Sequence, residues 1–540
     1  MNPYIELHCH SGFSFLDGAS HPEELVMRAV ELGYPALALT DHNGLYGSME
    51  FAQAARLSGL QPITGAEVTL RECFPNVEEP KDGHHVTLLA ESPSGYSNLC
   101  RLLTEAHMGS ERGDARLPLS SLLELSEGLI LLTGCRKSPI AAALESSVAE
   151  AETLTKQFVQ SFGPGNVFAE LQDNCVKGDA SRNKALARLA GRLGLGVVAT
   201  GNVHYHRPER HQLQDILVSI KNRTTLEGAH RARRANRLFH LPEPWEMQHR
   251  FENRPEALTN TLLIAERCAA FDLTEDLGYE FPNFEGSDQS DALKTLAAIC
   301  KSKISTLYKP GGTELKEAEE RLHTELALVD LHGLAGFFLV YRDIMLLANE
   351  VAREVRGDTP RARSGLPPGR GRGSSVSSII CYLIGLSHID PVKNNLFLGR
   401  FLNEALRNVP DIDLDFPRDI REKLILRVYE KYGYNHTGLV CTFPTYRLRS
   451  AVREVGKALD LPIGELEKLS KLAEHRSASM LAEEIGALPE FKARADAHLW
   501  RLLGELAENI SGLPRHISQH VGGMIISSRP LIEIVPLQPA

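Results

Sequence analysis

Residues 36–42 read ALALTDH, a short apolar run that closes in Thr40, Asp41 and His42. The pattern recurs. VTLLA (86–90), LILLT (129–133) and GVVAT (196–200) are further strand-like runs, each ending in Thr or Ala. Helical segments at Pro22–Leu32, Leu99–His107 and Arg182–Leu193 separate them. This βα rhythm predicts a largely parallel sheet or barrel, with chemistry gathered at the strand C-termini. The polar residues of the segment stand at those ends.

An HxH pair, His8 and His10 in ELHCHS, precedes the first of these runs. On a strand, positions i and i+2 share a face, so both imidazoles can converge on one metal. Asp17 follows in FLDG, and His42 closes ALALT behind Asp41. Glu67 stands in GAEV, His85 precedes VTLLA, Cys135 follows LILLT, and Asn202 and His204 follow GVVAT. A lone HxH is often only structural. Donors beside every strand of one barrel point instead to a metal site, and this mixture suits zinc, manganese or iron better than calcium.

Outward from that region, 540 residues are too many for one hydrophobic core. Residues from about 250 to 355 read as mostly helical and charged. No apolar run is long enough to span a bilayer, and the opening MNPYIELHCHS lacks the basic and apolar regions of a signal peptide. Nine scattered cysteines with no CxxC pair suit free thiols in a reducing compartment, so a cytoplasmic location is expected. The net charge of −10 argues weakly against a nucleic-acid partner. Yet basic residues concentrate at Lys221–Arg237, Arg361–Arg372 and Arg447–Lys457, where local stripes can bind phosphate.

Three later stretches form a sequence of their own. GRGRGSS (369–375) leads into VSSIICYLIGL, which predicts a buried helix. Glycines let the backbone approach an anion, the helix N-terminus adds partial positive charge, and Arg370 and Arg372 add full charges. A flexible basic linker is the alternative. VPDIDLDF (409–416) alternates Asp411, Asp413 and Asp415 with apolar residues, so a strand would place the carboxylates in one row, about 7 Å apart. Paired carboxylates at i and i+2 are what two-metal nucleotidyl transfer requires; a solvated acidic strand is the alternative. Arg400, just before, offers a fork for triphosphate oxygens. In RLRSAVREVGKAL (447–459), Arg449, Arg453 and Lys457 recur every four residues, one stripe on a helix suited to a DNA backbone unless merely solvated. His516 and His520, in PRHISQHVGG, imply no chemistry alone.

The first domain resembles the PHP (polymerase and histidinol phosphatase) domain, a distorted barrel that binds up to three metals and cleaves phosphoesters. Asn202 departs from that pattern, which has an aspartate there. With GRGSS (371–375), PDIDLDF (410–416) and RSAVREVGKAL (449–459), the chain resembles the bacterial C-family DNA polymerases, the DNA polymerase III alpha family. FSFLDGASHPEELV (13–26), YRLRSAVREVGKAL and LPRHISQHVGGMIIS (513–527) liken it to the error-prone branch, which acts in damage tolerance.

The resemblance implies a multidomain α/β chain: a distorted βα barrel over 1–250, a helical connection and α+β palm over 251–445, a helical thumb over 446–510, and a return to the palm over 511–540. It implies Asp411 and Asp413 as catalytic, and Arg372, Gly373, Ser374 and Arg400 at the nucleotide phosphates. It also implies Mg²⁺ in the palm, and Zn²⁺ or Mn²⁺ at His8, His10, Asp17, His42, Glu67, His85, Cys135, Asn202 and His204. Primer–template DNA and deoxynucleoside triphosphates are the expected partners, with a sliding clamp reached through family regions beyond residue 540, and no membrane. A third palm carboxylate is also expected beyond 540, so these residues alone are expected to synthesise little DNA. Phosphoester hydrolysis by the first domain, as pyrophosphatase or 3′–5′ exonuclease, is the alternative activity. A scaffold whose metal only stabilises the barrel is the non-enzymatic alternative.

Overall fold

The computed structural model describes residues 4–74, 80, 83–278, 289–357, 369–406, 412–472 and 498–540. The chain forms two compact units. One comprises Met1–Gly278, Cys441–Val521 and Ile532–Ala540, the other Tyr279–Val440 and Gly522–Leu531.

The first unit is built on a curled sheet of β1 (Ala36–Leu39), β2 (Gln61–Arg71), β3 (His84–Ala90), β4 (Leu117–Pro118), β5 (Leu129–Leu132), β6 (Val167–Gln172) and β7 (Gly196–Thr200), in the order β1-β2-β3-β5-β6-β7 with β4 on β2. The segment around ELHCH joins its two ends. Glu6 bridges Leu37 of β1, and Cys9 bridges Val203 just after β7. The Ala38 N–H donates to the Glu6 carbonyl at 3.0 Å and the His10 N–H to the Val203 carbonyl at 2.8 Å. The ring is thereby closed.

The expected parallel sheet has one reversal. β3 runs antiparallel to both β2 and β5. Its N-terminal end therefore lies where β2 and β5 have their C-terminal ends. This is why His85 stands at the start of its strand while His42, Cys135 and His204 follow theirs.

Period-2 alternation sorts each strand between two cores. One cluster takes Leu37, Leu39, Val68, Val86, Leu88, Leu131, Val167, Ala169, Val197 and Ala199, together with the surrounding helices. The other takes Ala36, Ala38, Ile63, Leu89, Ile130, Leu132, Phe168 and Val198, and includes Ile264, Ala265 and Cys268 of the helix Pro255–Cys268. Continuing the second set along each strand leads to Thr40 and His42, Glu67, Thr87 and His85, Glu170 and Gln172, and Asn202 and His204. One end of the barrel is thus packed with apolar groups, and the same faces turn polar at the other.

A further core in this unit joins the helix His211–Lys221 to Leu448–Ala458, Ile463–Leu472 and His498–Ile510, through residues such as Leu213, Ile216, Val452, Val455, Leu466, Trp500 and Leu503.

In the second unit the helices Gln289–Leu307, Thr313–Leu331 and Ala335–Arg356 pack on the residues after the glycine-arginine loop, around Leu296, Phe338, Ile380, Phe401 and Ile412. Ala348, Val351 and Ala352 meet Ile420, Leu424 and Val428 of the helix Arg418–Tyr432. β8 (Arg370–Gly371) pairs antiparallel with β9 (Leu414–Asp415). Among the described residues no single helix is long and apolar enough to cross a membrane.

Candidate functional site

At the polar end of the barrel the Glu67 carboxylate stands among four imidazoles. Its Oε1 lies 3.4 Å from His8 Nε2 and 3.2 Å from His85 Nδ1; its Oε2 lies 2.7 Å from His42 Nδ1 and 3.6 Å from His10 Nε2. Asp17 Oδ2 reaches His42 Nε2 at 3.3 Å and His204 Nε2 at 3.6 Å. Cys135 Sγ is 3.9 Å from His85 Nδ1. Asn202 is buried at the same end, held at a φ of +49°, a left-handed conformation that asparagine tolerates better than most residues. All nine residues read from the sequence as metal donors therefore meet at one place.

Ligand atoms fall into three close groups: His8, His10 and Glu67; His42, Glu67 and His85; and His10, His42 and His204. Buried His8 Nε2, His10 Nε2, Glu67 Oε1 and Asn202 Oδ1 have no hydrogen-bond partner among the described residues. Leaving four polar atoms buried and unbonded costs about 1–3 kcal/mol each. A divalent cation in the group of His8, His10 and Glu67 would satisfy three of them, and the nitrogen, oxygen and sulfur donors fit zinc or manganese.

Residues behind the donors fix their tautomers. His8 Nδ1–H donates to Glu170 Oε1 at 2.6 Å, which turns Nε2 toward Glu67 and makes it the nitrogen that would give up its proton to a metal. Ser14 Oγ donates to Asp41 at 2.6 Å and so accepts from His10 Nδ1–H at 3.3 Å. His204 Nδ1–H donates to the Asn202 carbonyl at 2.8 Å. Partners of this kind orient metal-binding imidazoles and raise their basicity.

The charges answer one another. Burial alone would push His8 down, but the Glu170 and Glu67 carboxylates carry it up to about 10. Burial would raise Glu67, yet His42, His85 and His8 hold it well below the usual carboxylate range. Burial and the nearby Glu67 push the Cys135 thiol well above its ordinary value, so a cation's field is needed to make it a thiolate ligand.

Several residues here escaped the sequence reading. Asp41, beside His42, receives the Ser11 N–H and hydroxyl, each at 2.7 Å, and acts as a brace. Glu170 lies inside the apolar run VFAELQ; an acid at i and an amide at i+2, Gln172, were the available signal. Arg234 belongs to the basic stretch 221–237, which read as a phosphate stripe. It instead donates to Asp17 Oδ1 at 3.2 Å and to His204 Nε2.

In the second unit, Asp411 lies outside the described residues, and Asp413 is exposed. Among the described residues of VPDIDLDF the strand is β9, Leu414–Asp415, and Asp413 lies before it. Asp415 is drawn to Arg372, its Oδ2 2.7 Å from Nε, while the Arg372 N–H donates to the Asp413 carbonyl at 3.0 Å. Gly373 has a φ of +72°, where any other residue would be strained. A Cβ at Gly369 would stand 2.6 Å from the Phe416 ring, so this glycine lets the loop lie against the strand. Arg400 is exposed at the end of a 3₁₀ turn, Leu398–Arg400, beside the turn Gly373–Ser377.

The expected long helix after this loop is only Ile379–Leu383, because Ser378 is extended and caps it, its hydroxyl accepting from the Cys381 N–H. Nor is its N-terminus open to an anion. Buried Glu325 accepts from the Ile379 N–H at 2.9 Å, the Ile380 N–H at 3.2 Å and the Ser378 hydroxyl at 2.7 Å. Any phosphate here must rest on the turn 372–375 and on arginine side chains.

Arg449, Arg453 and Lys457 lie exposed along one face of Leu448–Ala458, as their spacing requires. Arg449 and Arg453, with Arg447 and Arg515, line a cavity of about 390 Å³. Lys457 is turned toward Glu454, 3.9 Å away.

Residues 6–174 match the family described as PHP domain, and residues 294–540 match the bacterial DNA polymerase III alpha NTPase domain. The chain is 36% identical over 557 residues to an error-prone DNA polymerase of Symbiobacterium thermophilum, covering 99% of this chain and 48% of that protein. It is 36% identical over 547 residues to the error-prone DNA polymerase of Cutibacterium acnes, covering 100% and 45%. The chain thus spans about half the length of the curated relatives it matches. Among solved structures, a Bifidobacterium adolescentis protein described as a metal-dependent phosphoesterase is 17% identical, with a TM-score of 0.26, covering 38% of this chain and 88% of its own.

Proposed function

We propose that the chain belongs to the bacterial DNA polymerase III alpha family, in its error-prone branch, and that it serves template-directed DNA synthesis in damage tolerance. The observation that carries this is the alignment with error-prone polymerases along nearly its whole length. Asp411 and Asp413 would hold Mg²⁺, which when bound supplies an activated primer hydroxyl and charge neutralisation at the leaving pyrophosphate. Exposed Asp413 fits that role, whereas Asp415 is already paired with Arg372. Arg372, Gly373 and Ser374, with Arg400 alongside, would receive the triphosphate. Residues 251–445 would then be a helical connection and the palm, 446–510 the thumb and 511–540 a return to the palm, with Arg449, Arg453 and Lys457 along the primer–template backbone. Nine free thiols support a reducing, cytoplasmic setting.

Primer extension by the full-length gene product in Mg²⁺ tests the reading. Activity should fall to background in D411N/D413N; extension that survives the double substitution would overturn it.

A second activity, phosphoester hydrolysis at the barrel mouth, is favoured by the unbonded buried atoms of His8, His10 and Glu67. These residues would hold a divalent ion that supplies an activated water. Hydrolysis of 3′-recessed DNA in Mn²⁺ should be lost in H10N and retained in D411N/D413N. If H10N keeps its fold and its hydrolysis, the barrel is not the source.

A further inference from the structure

Of the three groups of donors at the barrel mouth, two share Glu67 and the third is His10, His42 and His204. His204 is the member that the third alone contains, and its lone pair is already spoken for. Its Nδ1–H donates to the Asn202 carbonyl, so Nε2 is the acceptor, and Arg234 donates to it. The same guanidinium donates to Asp17 Oδ1, the carboxylate that faces His42 and His204 from the other side. Asp17 also accepts from Gln214 Nε2 at 3.3 Å.

Arg234 is not a wandering surface side chain. Its guanidinium carbon lies 4.7 Å from the centre of the Phe239 ring, and that ring is buried and set edge-on to His204. Arginine keeps its charge at any pH a protein survives, so this corner always holds one positive charge against the one negative charge of Asp17. A dication there would face a guanidinium within contact distance and find the His204 lone pair taken. Among the described residues no guanidinium is paired with Glu67, and His8 Nε2, His10 Nε2 and Glu67 Oε1 there remain unbonded.

We propose that Arg234 is a built-in cation that closes the Asp17–His204 corner to metal, so that the barrel takes two ions, both on Glu67, and Asp17 is an arginine partner and no metal ligand. This rests on the reading of the barrel mouth as a metal centre. The test is metal content, independent of any activity. Full-length protein carrying D411N/D413N, in which the palm carboxylates are removed and which serves as the wild type for the barrel, is stripped with chelator, titrated with Mn²⁺ or Zn²⁺ by calorimetry, and its bound metal counted by mass spectrometry. The wild type should bind two ions, R234Q three, and R234Q/D17N two again. D17N alone should still bind two, a result that does not depend on R234Q folding. Three ions on the wild type, loss of an ion in D17N, or a folded R234Q with no gain would overturn the proposal. A wild type that binds none would instead overturn the metal centre itself.

Discussion

A single proton position decides what His8 can do. Glu170 holds the hydrogen on Nδ1 and thereby leaves Nε2, which faces Glu67, as the nitrogen that yields its proton to a metal. E170Q preserves the volume but offers His8 an amide in place of a carboxylate. Metal affinity should fall by about 10–100-fold, measured by competition with a chromophoric chelator, with the circular dichroism unchanged. His107 permits a pH test away from these donors. Burial lowers its pKa, although its contact with the Asn43 carbonyl, 2.7 Å away, works the other way. A depressed histidine contributes stability that is present above its unfolded value, near 6.5, and is lost as pH falls toward the folded value. The loss is at most about 1.4 kcal/mol per pH unit. Melting temperatures from pH 7 to 5 should therefore fall less in H107Q than in the wild type. At this scale the sequence was most readable for donors at strand ends. Glu170 and Arg234 were hidden by their neighbours: one inside an apolar run, the other among basic residues whose charge suggested a different anion.

Among the elements, the turn after GRGRGSS depends on a residue some fifty positions earlier. Glu325 is fully buried, accepts two backbone N–H groups and the Ser378 hydroxyl, and lies 3.3 Å from Arg321 Nε. E325A leaves those donors and the guanidinium without their acceptor. Chemical denaturation should show a loss of about 3–5 kcal/mol, as for a broken buried pair. A loss below 1 kcal/mol would mean that water replaces the carboxylate at little cost. No local pattern announced this contact, since KEAEERLHTELALVDL reads as an ordinary charged helix. Among the described residues of VPDIDLDF the strand reading holds for Leu414 and Asp415, which pair with the two residues of β8. Likewise, alternation marked which faces of β1 and β7 were polar, but the reversal of β3 depends on its partners and left no trace in periodicity.

For the whole molecule, the two units should respond differently to chelation. An ion that binds only the folded barrel stabilises it by about 2.7 kcal/mol at a hundredfold excess over its dissociation constant. In scanning calorimetry of protein carrying D411N/D413N, EDTA should lower the transition of the unit containing the barrel and leave the other in place, while E325A should do the reverse. A common shift of both would show that they unfold as one. That the chain divides was legible from its length and changing pattern. That the helices after residue 445 share a core with His211–Lys221 was not, since an apolar helical face does not name its partner. The ring closure has one more consequence, which concerns time. The strand that carries His8 and His10 needs both β1 and Val203, and translation at about 5–20 residues per second separates Cys9 from Val203 by roughly 10–40 s. Throughout that interval Cys9 and two imidazoles are open to whatever metal the surroundings offer, so the correct ion has to be chosen after synthesis of the barrel and not during it.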